Sequence, residues 1–149
     1  MRHPKPVVGW REWLELPNLG IAAIKAKVDT GARSSSLHAY GIERFRIDGR
    51  SMVRFAIHPL QRHAMPEVIA EVEVIDERRV RNPGGRSELR PVIATDVTLA
   101  GVTWPVEINL TPRDEMGFRM LLGRQAVRGR FVVDPGRSFL GGRTTSPAQ

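Results

Sequence analysis

Short segments in which apolar and polar residues alternate occur throughout this 149-residue chain. The clearest of them runs from Val68 to Val74, where every second residue is valine or alanine. A period of two is typical of a β-strand with one buried face. The same period recurs in residues 24–28, 53–57 and 106–110. Since only residues 124–129 favour a helix, and a short one, the pattern predicts an all-β fold, a closed or nearly closed barrel.

Turn-forming residues divide the chain into strands and predict where hairpins form. Asp48-Gly49 is a strong hairpin signal, and Asn82-Pro-Gly-Gly85 marks a second turn. We predict that residues 72–98 form one long, projecting hairpin around this second turn. Further strands are expected at residues 7–16, 37–47 and 131–133. Residues 141–149 are expected to form a flexible tail, which leaves about residues 7–140 as the ordered core of a single domain.

Composition narrows the functional classes. The chain contains no cysteine, which excludes disulfides and thiolate metal sites, and no window has the roughly 20 apolar residues of a membrane helix. No apolar segment follows the basic residues 1–6, so we expect no signal peptide and a cytoplasmic protein. The net charge of +7 favours an anionic partner, either an acidic peptide or a nucleic acid. The few aromatic residues (five Phe, three Trp, one Tyr) are not interleaved with basic ones, which argues against nucleic acid.

The sequence Asp29-Thr30-Gly31 follows a strand expected at residues 21–28. A carboxylate, a small hydroxyl and a glycine therefore stand where the chain must turn. Glycine adopts backbone conformations closed to other residues and lets the chain approach another group closely. Such a turn can hold Asp29 against a rigid sheet, although an isolated tripeptide of this kind is also typical of an ordinary surface turn.

A second segment, Met120–Arg124, changes the interpretation of this turn. Asp29-Thr-Gly-Ala32, followed later by two apolar residues, a glycine and an arginine, resembles the retropepsin-like aspartic peptidases. The chain is more similar still to a bacterial retropepsin-like family formerly labelled "ATP-dependent zinc protease", in residues 25–33, 35–38, 122–124 and 131–134. The resemblance spans about residues 7–140. It implies a closed retropepsin barrel with one short helix, which forms a homodimer.

The resemblance identifies Asp29 as the catalytic residue. Hydrolysis of an amide by carboxylates needs one ionised group to activate water and one protonated group to polarise the carbonyl. Two adjacent carboxyl groups cannot both ionise, so they share a proton. The chain holds a single Asp-Thr-Gly sequence, so the second carboxylate is expected to be Asp29 of the partner subunit in a two-fold dimer.

The resemblance also assigns roles to the residues around Asp29. Viral retropepsins have an acidic residue at the position of Arg33, where it pairs with the arginine that matches Arg124. Two arginines cannot pair, so either Arg124 binds another carboxylate or the loop geometry differs, and Arg33 is a candidate to face the substrate. The residues that match the family's active-site supports are Thr30, Gly31, Ala32, Leu122, Gly123 and Arg124.

The hairpin near residues 78–90 corresponds to the family's flap, which closes over a bound peptide and excludes water. It carries five arginines against Glu77 and Glu88. One interpretation is a cationic lid over an acidic substrate, since guanidinium binds carboxylate bidentately; the other is simply a solvated face. The candidate substrate-binding residues are Arg33 and, in the hairpin, Arg79, Arg81 and Arg86.

No metal or cofactor is expected, despite the older family label. The four histidines form no His-Glu-x-x-His motif, and no Gly-x-x-x-x-Gly-Lys-Ser/Thr loop for ATP is present. His38 lies on an expected strand, and we interpret it as a hydrogen-bonded structural residue.

These observations favour a homodimeric aspartic endopeptidase that cleaves a peptide or protein substrate. Members of the family are often associated with an ATP-grasp ligase that adds glutamates to protein tails, so acidic or glutamylated tails are plausible substrates. Two other functions remain open: a non-catalytic, retropepsin-like module that binds an acidic protein partner, and a basic protein associated with RNA or the ribosome.

Overall fold

The computed structural model describes residues 4–60, 67–82, 84–113 and 117–142. Apart from Gly141 and Gly142, the expected tail at residues 141–149 lies outside this part of the chain. Two short helical segments occur in the described residues, a 3-10 turn at Pro17–Leu19 and the helix α1 at Arg124–Val127. Neither is long and apolar enough to cross a membrane. The strands are β1 Val7–Gly9, β2 Arg11–Leu16, β3 Ile21–Asp29, β4 Ser35–His38, β5 Tyr40–Ile47, β6 Arg50–Ile57, β7 Val68–Glu73, β8 Asp76–Arg81, β9 Ser87–Leu99, β10 Val102–Thr111, β11 Met120–Gly123 and β12 Val132–Asp134.

Six of these strands close into a barrel. Their order is β10-β4-β11-β3-β2-β9, and β9 pairs again with β10 to complete the circle. β8 is added outside the circle, where it pairs with the first half of β9. The predicted all-β barrel with one short helix is therefore confirmed.

Three strands form a separate antiparallel sheet in the order β5-β6-β7. In this sheet Val72 lies opposite Val53 of β6. The hairpin predicted for residues 72–98 is therefore wrong at its start, because pairing between β8 and β9 begins only where Asp76 meets Val92. Alternation identifies a strand with one buried face but contains no information about which strand lies beside it.

The first expected strand, residues 7–16, is also divided in the structure. Val7 of β1 lies opposite Val132 of β12, in a two-stranded parallel sheet of their own. β2 instead pairs with β3 and belongs to the barrel. The chain changes sheets at Trp10, which lies between the two strands.

The inward face of the barrel strands forms an apolar core. Leu14 of β2 lies opposite Ile24 of β3, and both are buried. Each such side chain contributes about 1.5–3 kcal/mol relative to leaving it exposed. Val28 and Leu122 belong to the same core, so packing fixes the ends of β3 and β11. The predicted catalytic residue Asp29 lies directly after Val28.

A buried carboxylate fixes one end of the chain to the barrel. The Glu12 side chain is 0% exposed and accepts hydrogen bonds from the backbone N–H groups of Gly9 (2.6 Å), Leu140 (2.8 Å) and Gly141 (2.9 Å). A buried charge needs such donors to offset the loss of water. The sequence analysis assigned Gly141 to the tail and did not identify Glu12.

Candidate active site

Asp29 is the last residue of β3, and the neighbouring strand β11 runs parallel to it. In this register Leu122 lies opposite Val28, and Gly123 lies opposite Asp29. The Asp29 Oδ1 atom accepts a hydrogen bond of 2.9 Å from the Gly31 N–H. The Asp29 side chain is 27% exposed, and its Oδ2 atom is 3.6 Å from the Lys27 ammonium. The carboxylate is thus oriented by the backbone but remains open to an incoming molecule.

Gly123 is required by the close approach of the loop that follows Asp29. A Cβ atom at this position would lie 2.5 Å from the carbonyl carbon of Ser34 and would overlap the carbonyl oxygen. The Gly123 N–H donates a hydrogen bond of 3.0 Å to the Ser35 hydroxyl. The next two N–H groups, of Arg124 and Gln125, donate to the carbonyls of residues 32 and 33 at 2.7 and 3.1 Å. Three consecutive residues therefore support the loop from behind.

Arg124 has a partner that the sequence analysis did not anticipate. Its Nη1 atom donates a hydrogen bond of 3.2 Å to the carbonyl oxygen of Thr30. The two possibilities considered from sequence were another carboxylate or a different loop geometry. A backbone carbonyl here takes the place of the acidic side chain that pairs with this arginine in viral retropepsins.

An open cleft of about 600 Å³ lies beside Asp29. Two of its walls come from the Asp29 loop and from β8, and Ser36, Asn109 and Leu121 contribute from three barrel strands. The cations among the lining residues are Lys27, Arg33, Arg79 and Arg81, whereas Asp29 is the only acidic one in the described part of the chain. The structure thus brings Arg33, Arg79 and Arg81 together with Asp29, and their role in binding substrate stays a prediction.

The flap hairpin projects from the barrel at the end of β8. Its register runs from Arg78 opposite Arg90 to Arg81 opposite Ser87. At the turn, the Asn82 side-chain oxygen accepts hydrogen bonds from the N–H groups of Gly84 (2.9 Å) and Arg86 (3.2 Å). The buried Asn82 therefore holds the turn in shape from inside.

The five arginines of the flap have different surroundings, which a charge count cannot reveal. Arg86 is exposed, but it is not among the described residues that line the cleft. Arg78 donates to Glu107 (2.7 Å) and Asp76 (2.8 Å), and these hydrogen bonds raise the pKa of the Arg78 guanidinium. Neither interpretation of the five arginines, a cationic lid or a solvated face, fits Arg90, which is 1% exposed.

Arg90 belongs to a polar network beneath the cleft. Its Nε atom donates to Glu88 Oε1 at 2.7 Å, and Arg113 donates to the second oxygen of the same carboxylate. Burial alone would raise the pKa of Glu88, but the two guanidinium groups outweigh it, so that pKa lies below its ordinary value. Arg90 Nη1 also donates to Asn109 Oδ1 at 2.9 Å. Sequence reasoning missed this network, because Asn109 occupies a polar position of an alternating strand and its burial leaves no mark on that pattern.

His38 has the structural environment expected for it. It is buried, with Nε2 at 3.0 Å from the Pro112 carbonyl oxygen and Nδ1 at 2.9 Å from Arg119 Nη1. Because the guanidinium can only donate and the carbonyl can only accept, we assign the proton to Nε2.

Within the described ranges, no three His, Cys, Asp or Glu side chains lie close enough to hold a metal ion.

Comparison with known protein families shows to which family the chain belongs. Residues 7–144 match the RimB-like family, described as "Retropepsin-like aspartic endopeptidase RimB". The chain belongs to the RimB-like family. A solved structure supports the same fold: the crystal structure of a protein of unknown function (DUF785) from Legionella pneumophila superposes with a TM-score of 0.76. The two sequences are 28% identical, and the match covers 93% of this chain and 99% of the other.

Curated relatives of this RimB-like chain have a different name. It is 45% identical over 139 residues to a "Probable alpha-L-glutamate ligase" of Shewanella pealeana, which covers 93% of this chain but 30% of the relative. It is 48% identical over 131 residues to a protein of the same name from Parasynechococcus marenigrum, covering 88% of this chain and 28% of the relative. The chain therefore spans less than a third of the length of these relatives.

Proposed function

We propose that this chain is an aspartic endopeptidase in which Asp29 and Asp29 of the partner subunit activate water across a homodimer. The observation that carries the proposal is the setting of Asp29 itself. It follows a core strand, is oriented by the Gly31 N–H, and opens onto a cleft bordered by the flap. Gly123 and the two residues after it support this arrangement from behind.

The chemistry follows from two carboxyl groups that share one proton. The ionised group removes a proton from water while the protonated group donates a hydrogen bond to the scissile carbonyl. Water then attacks the carbonyl carbon, and the leaving nitrogen takes up a proton as the C–N bond breaks. The flap would exclude bulk water from this step.

The charge of the cleft supports an acidic substrate. Four cationic side chains line it, so an anionic peptide is attracted and oriented there. The relatives that contain a similar sequence within a longer chain are named glutamate ligases, which supports glutamate-rich or glutamylated protein tails as the substrate. We assign this activity to the cytoplasm; the chain has no cysteine and depends on no disulfide.

A second candidate is a non-catalytic module that binds an acidic protein partner. The names of the curated relatives favour it, since they describe a ligase and not a peptidase. The same basic cleft would serve this role, because binding requires the cations but not a second carboxylate.

The Asp29→Asn variant separates the two functions. It preserves volume but removes the shared proton, so we expect cleavage of a glutamate-rich peptide to fall at least about 100-fold. The products would be measured by mass spectrometry, with and without EDTA, which should leave the rate unchanged. Asp48→Asn, at an exposed hairpin turn, is the matched control. If the wild type and Asp29→Asn bind the peptide equally and neither cleaves it, the binding module is correct.

A further inference from the structure

The strand β10 changes partners at the root of the flap. It pairs with β9 as far as Asn109 opposite Val92, and with β4 from Ile108 opposite Ser35 onward. Beyond this point β9 pairs with β8 alone and continues into the flap. β9 therefore separates from β10, while β10 stays paired with β4, and this leaves a fork between the flap and the floor of the cleft. Arg90 lies two residues before Val92, at this fork.

The Arg90 guanidinium bridges the fork. Its Nη1 atom donates to Asn109 Oδ1 of β10 at 2.9 Å and approaches Ser36 Oγ of β4 at 3.4 Å. Ser36 Oγ also donates to Asn109 Oδ1 at 2.9 Å. Both Ser36 and Asn109 line the cleft. The Arg90 side chain thus forms hydrogen bonds to the floor of the cleft at the place where backbone pairing between β9 and β10 has ended.

Two further hydrogen bonds connect Asn109 to the residues that support Asp29. Asn109 Nδ2 donates to the Ser35 carbonyl at 2.9 Å, and the Ser35 hydroxyl accepts from the Gly123 N–H at 3.0 Å. Gly123 is the residue that lies opposite Asp29 across the two parallel strands. A contiguous polar connection therefore joins the root of the flap to the catalytic loop through the interior of the domain.

We propose that Arg90 is a positioning residue that fixes the flap relative to Asp29. Its charge is compensated by Glu88, and its planar fork of donors reaches several acceptors at once, which a lysine ammonium cannot reproduce. With 1% of its surface exposed, Arg90 cannot exchange these partners for water. The flap is consequently attached at its root by a side chain as well as by strand pairing. The catalytic part of this inference rests on the proposed function, whereas the structural part does not.

Hydrogen exchange tests the structural part without any catalysis. We expect backbone amides of the flap to exchange at least about tenfold faster in Arg90→Gln than in the wild-type protein, since opening of a less restrained segment is more frequent. Arg113→Gln is the matched control, because Arg113 binds the same Glu88 but is 51% exposed and is not among the described residues that contact Asn109 or Ser36. Equal flap exchange in Arg90→Gln and Arg113→Gln would overturn the proposal. Should Arg90→Gln not fold, Arg90→Lys provides the same comparison.

Kinetics test the catalytic part. Misplacement of a binding element by about 1 Å can cost on the order of 100-fold in rate, so we expect kcat/KM of Arg90→Gln to fall by up to that factor. Arg90→Lys should recover part of the loss. A lower melting temperature with unchanged kcat/KM would reduce Arg90 to a stabilising residue and overturn its positioning role. If the wild-type protein cleaves no peptide, the proposed function is wrong, and the exchange experiment alone decides the role of Arg90.

Discussion

Main-chain atoms shape the surroundings of Asp29. Gly123 must lack a side chain because the Ser34 carbonyl occupies that space, and the backbone N–H of Gly31 orients the Asp29 carboxylate. Asn82 plays a comparable role in the flap, where its side chain replaces backbone acceptors at the turn. Main-chain groups therefore determine the geometry of the candidate site, and they fix the position of the Asp29 side chain.

Replacement of Gly123 by alanine tests this view. The added methyl group meets backbone atoms, which cannot rotate away, so the Asp29 loop must shift. We expect a loss of about 1–3 kcal/mol in the free energy of unfolding, typical of overpacking, and a fall in kcat/KM of about 100-fold from misplacement of Asp29. Urea unfolding and peptide cleavage measure the two effects. Gly49→Ala, at an exposed turn with positive φ, is strained without touching the site and should lose stability only.

Some of these residues could be found from sequence and others could not. The ordered set of Asp29-Thr-Gly and Leu122-Gly-Arg124 predicted the candidate loop and the segment that supports it, because both motifs depend on local backbone geometry. Arg90 could not be separated from the four other arginines of its hairpin, since its burial depends on where β10 leaves β9. Glu12 was missed for a similar reason, because two of its three donors are distant in sequence.

Single strands could be predicted better than their arrangement. Alternation located β3, β6, β7 and β10 because each has one face in the core. It did not reveal that β7 joins β6 in a separate sheet, so the flap was predicted to begin too early. Within the flap, strand pairing fixes the direction of each side chain, and this separates the arginines that line the cleft from those that do not.

The flap arginines therefore have distinct expected effects. Replacing Arg79 and Arg81 by glutamine should raise KM for glutamate-rich peptides several-fold, since exposed charge contacts contribute about 0.2–1 kcal/mol each. Neutral peptides should be affected little, and the salt dependence of KM should become weaker. Arg86→Gln is the matched control on the same hairpin, because Arg86 is outside the described lining of the cleft. If Arg86→Gln has an equal effect, long-range attraction by the whole flap is responsible.

At the scale of the whole molecule, one chain supplies one Asp29 and one flap. The proposed mechanism requires two carboxyl groups, one from each chain. Catalysis therefore depends on formation of the dimer. The net charge of +7 makes two copies repel each other at long range, and contacts at the interface must overcome this repulsion.

Mixed dimers test whether two Asp29 residues act together. When equal amounts of wild-type and Asp29→Ala chains exchange freely, about one quarter of the dimers are fully wild type. Activity should therefore fall to about a quarter of its value for the wild type at the same total concentration, as measured by initial rates. Asp48→Ala chains, mixed in the same way, should leave it unchanged. A fall to one half would mean that each chain works alone.

The bonds of Glu12 have a practical consequence for anyone who shortens, tags or fuses this domain. A chain cut before Leu140 loses two of the three N–H groups that this carboxylate binds, yet the carboxylate stays inside the barrel wall. An uncompensated buried charge costs several kcal/mol, which is comparable to the whole stability of many domains. A cleavage site or linker therefore belongs beyond Gly141, and we expect a shorter version to be recovered as aggregate even though every residue of the Asp29 loop is intact.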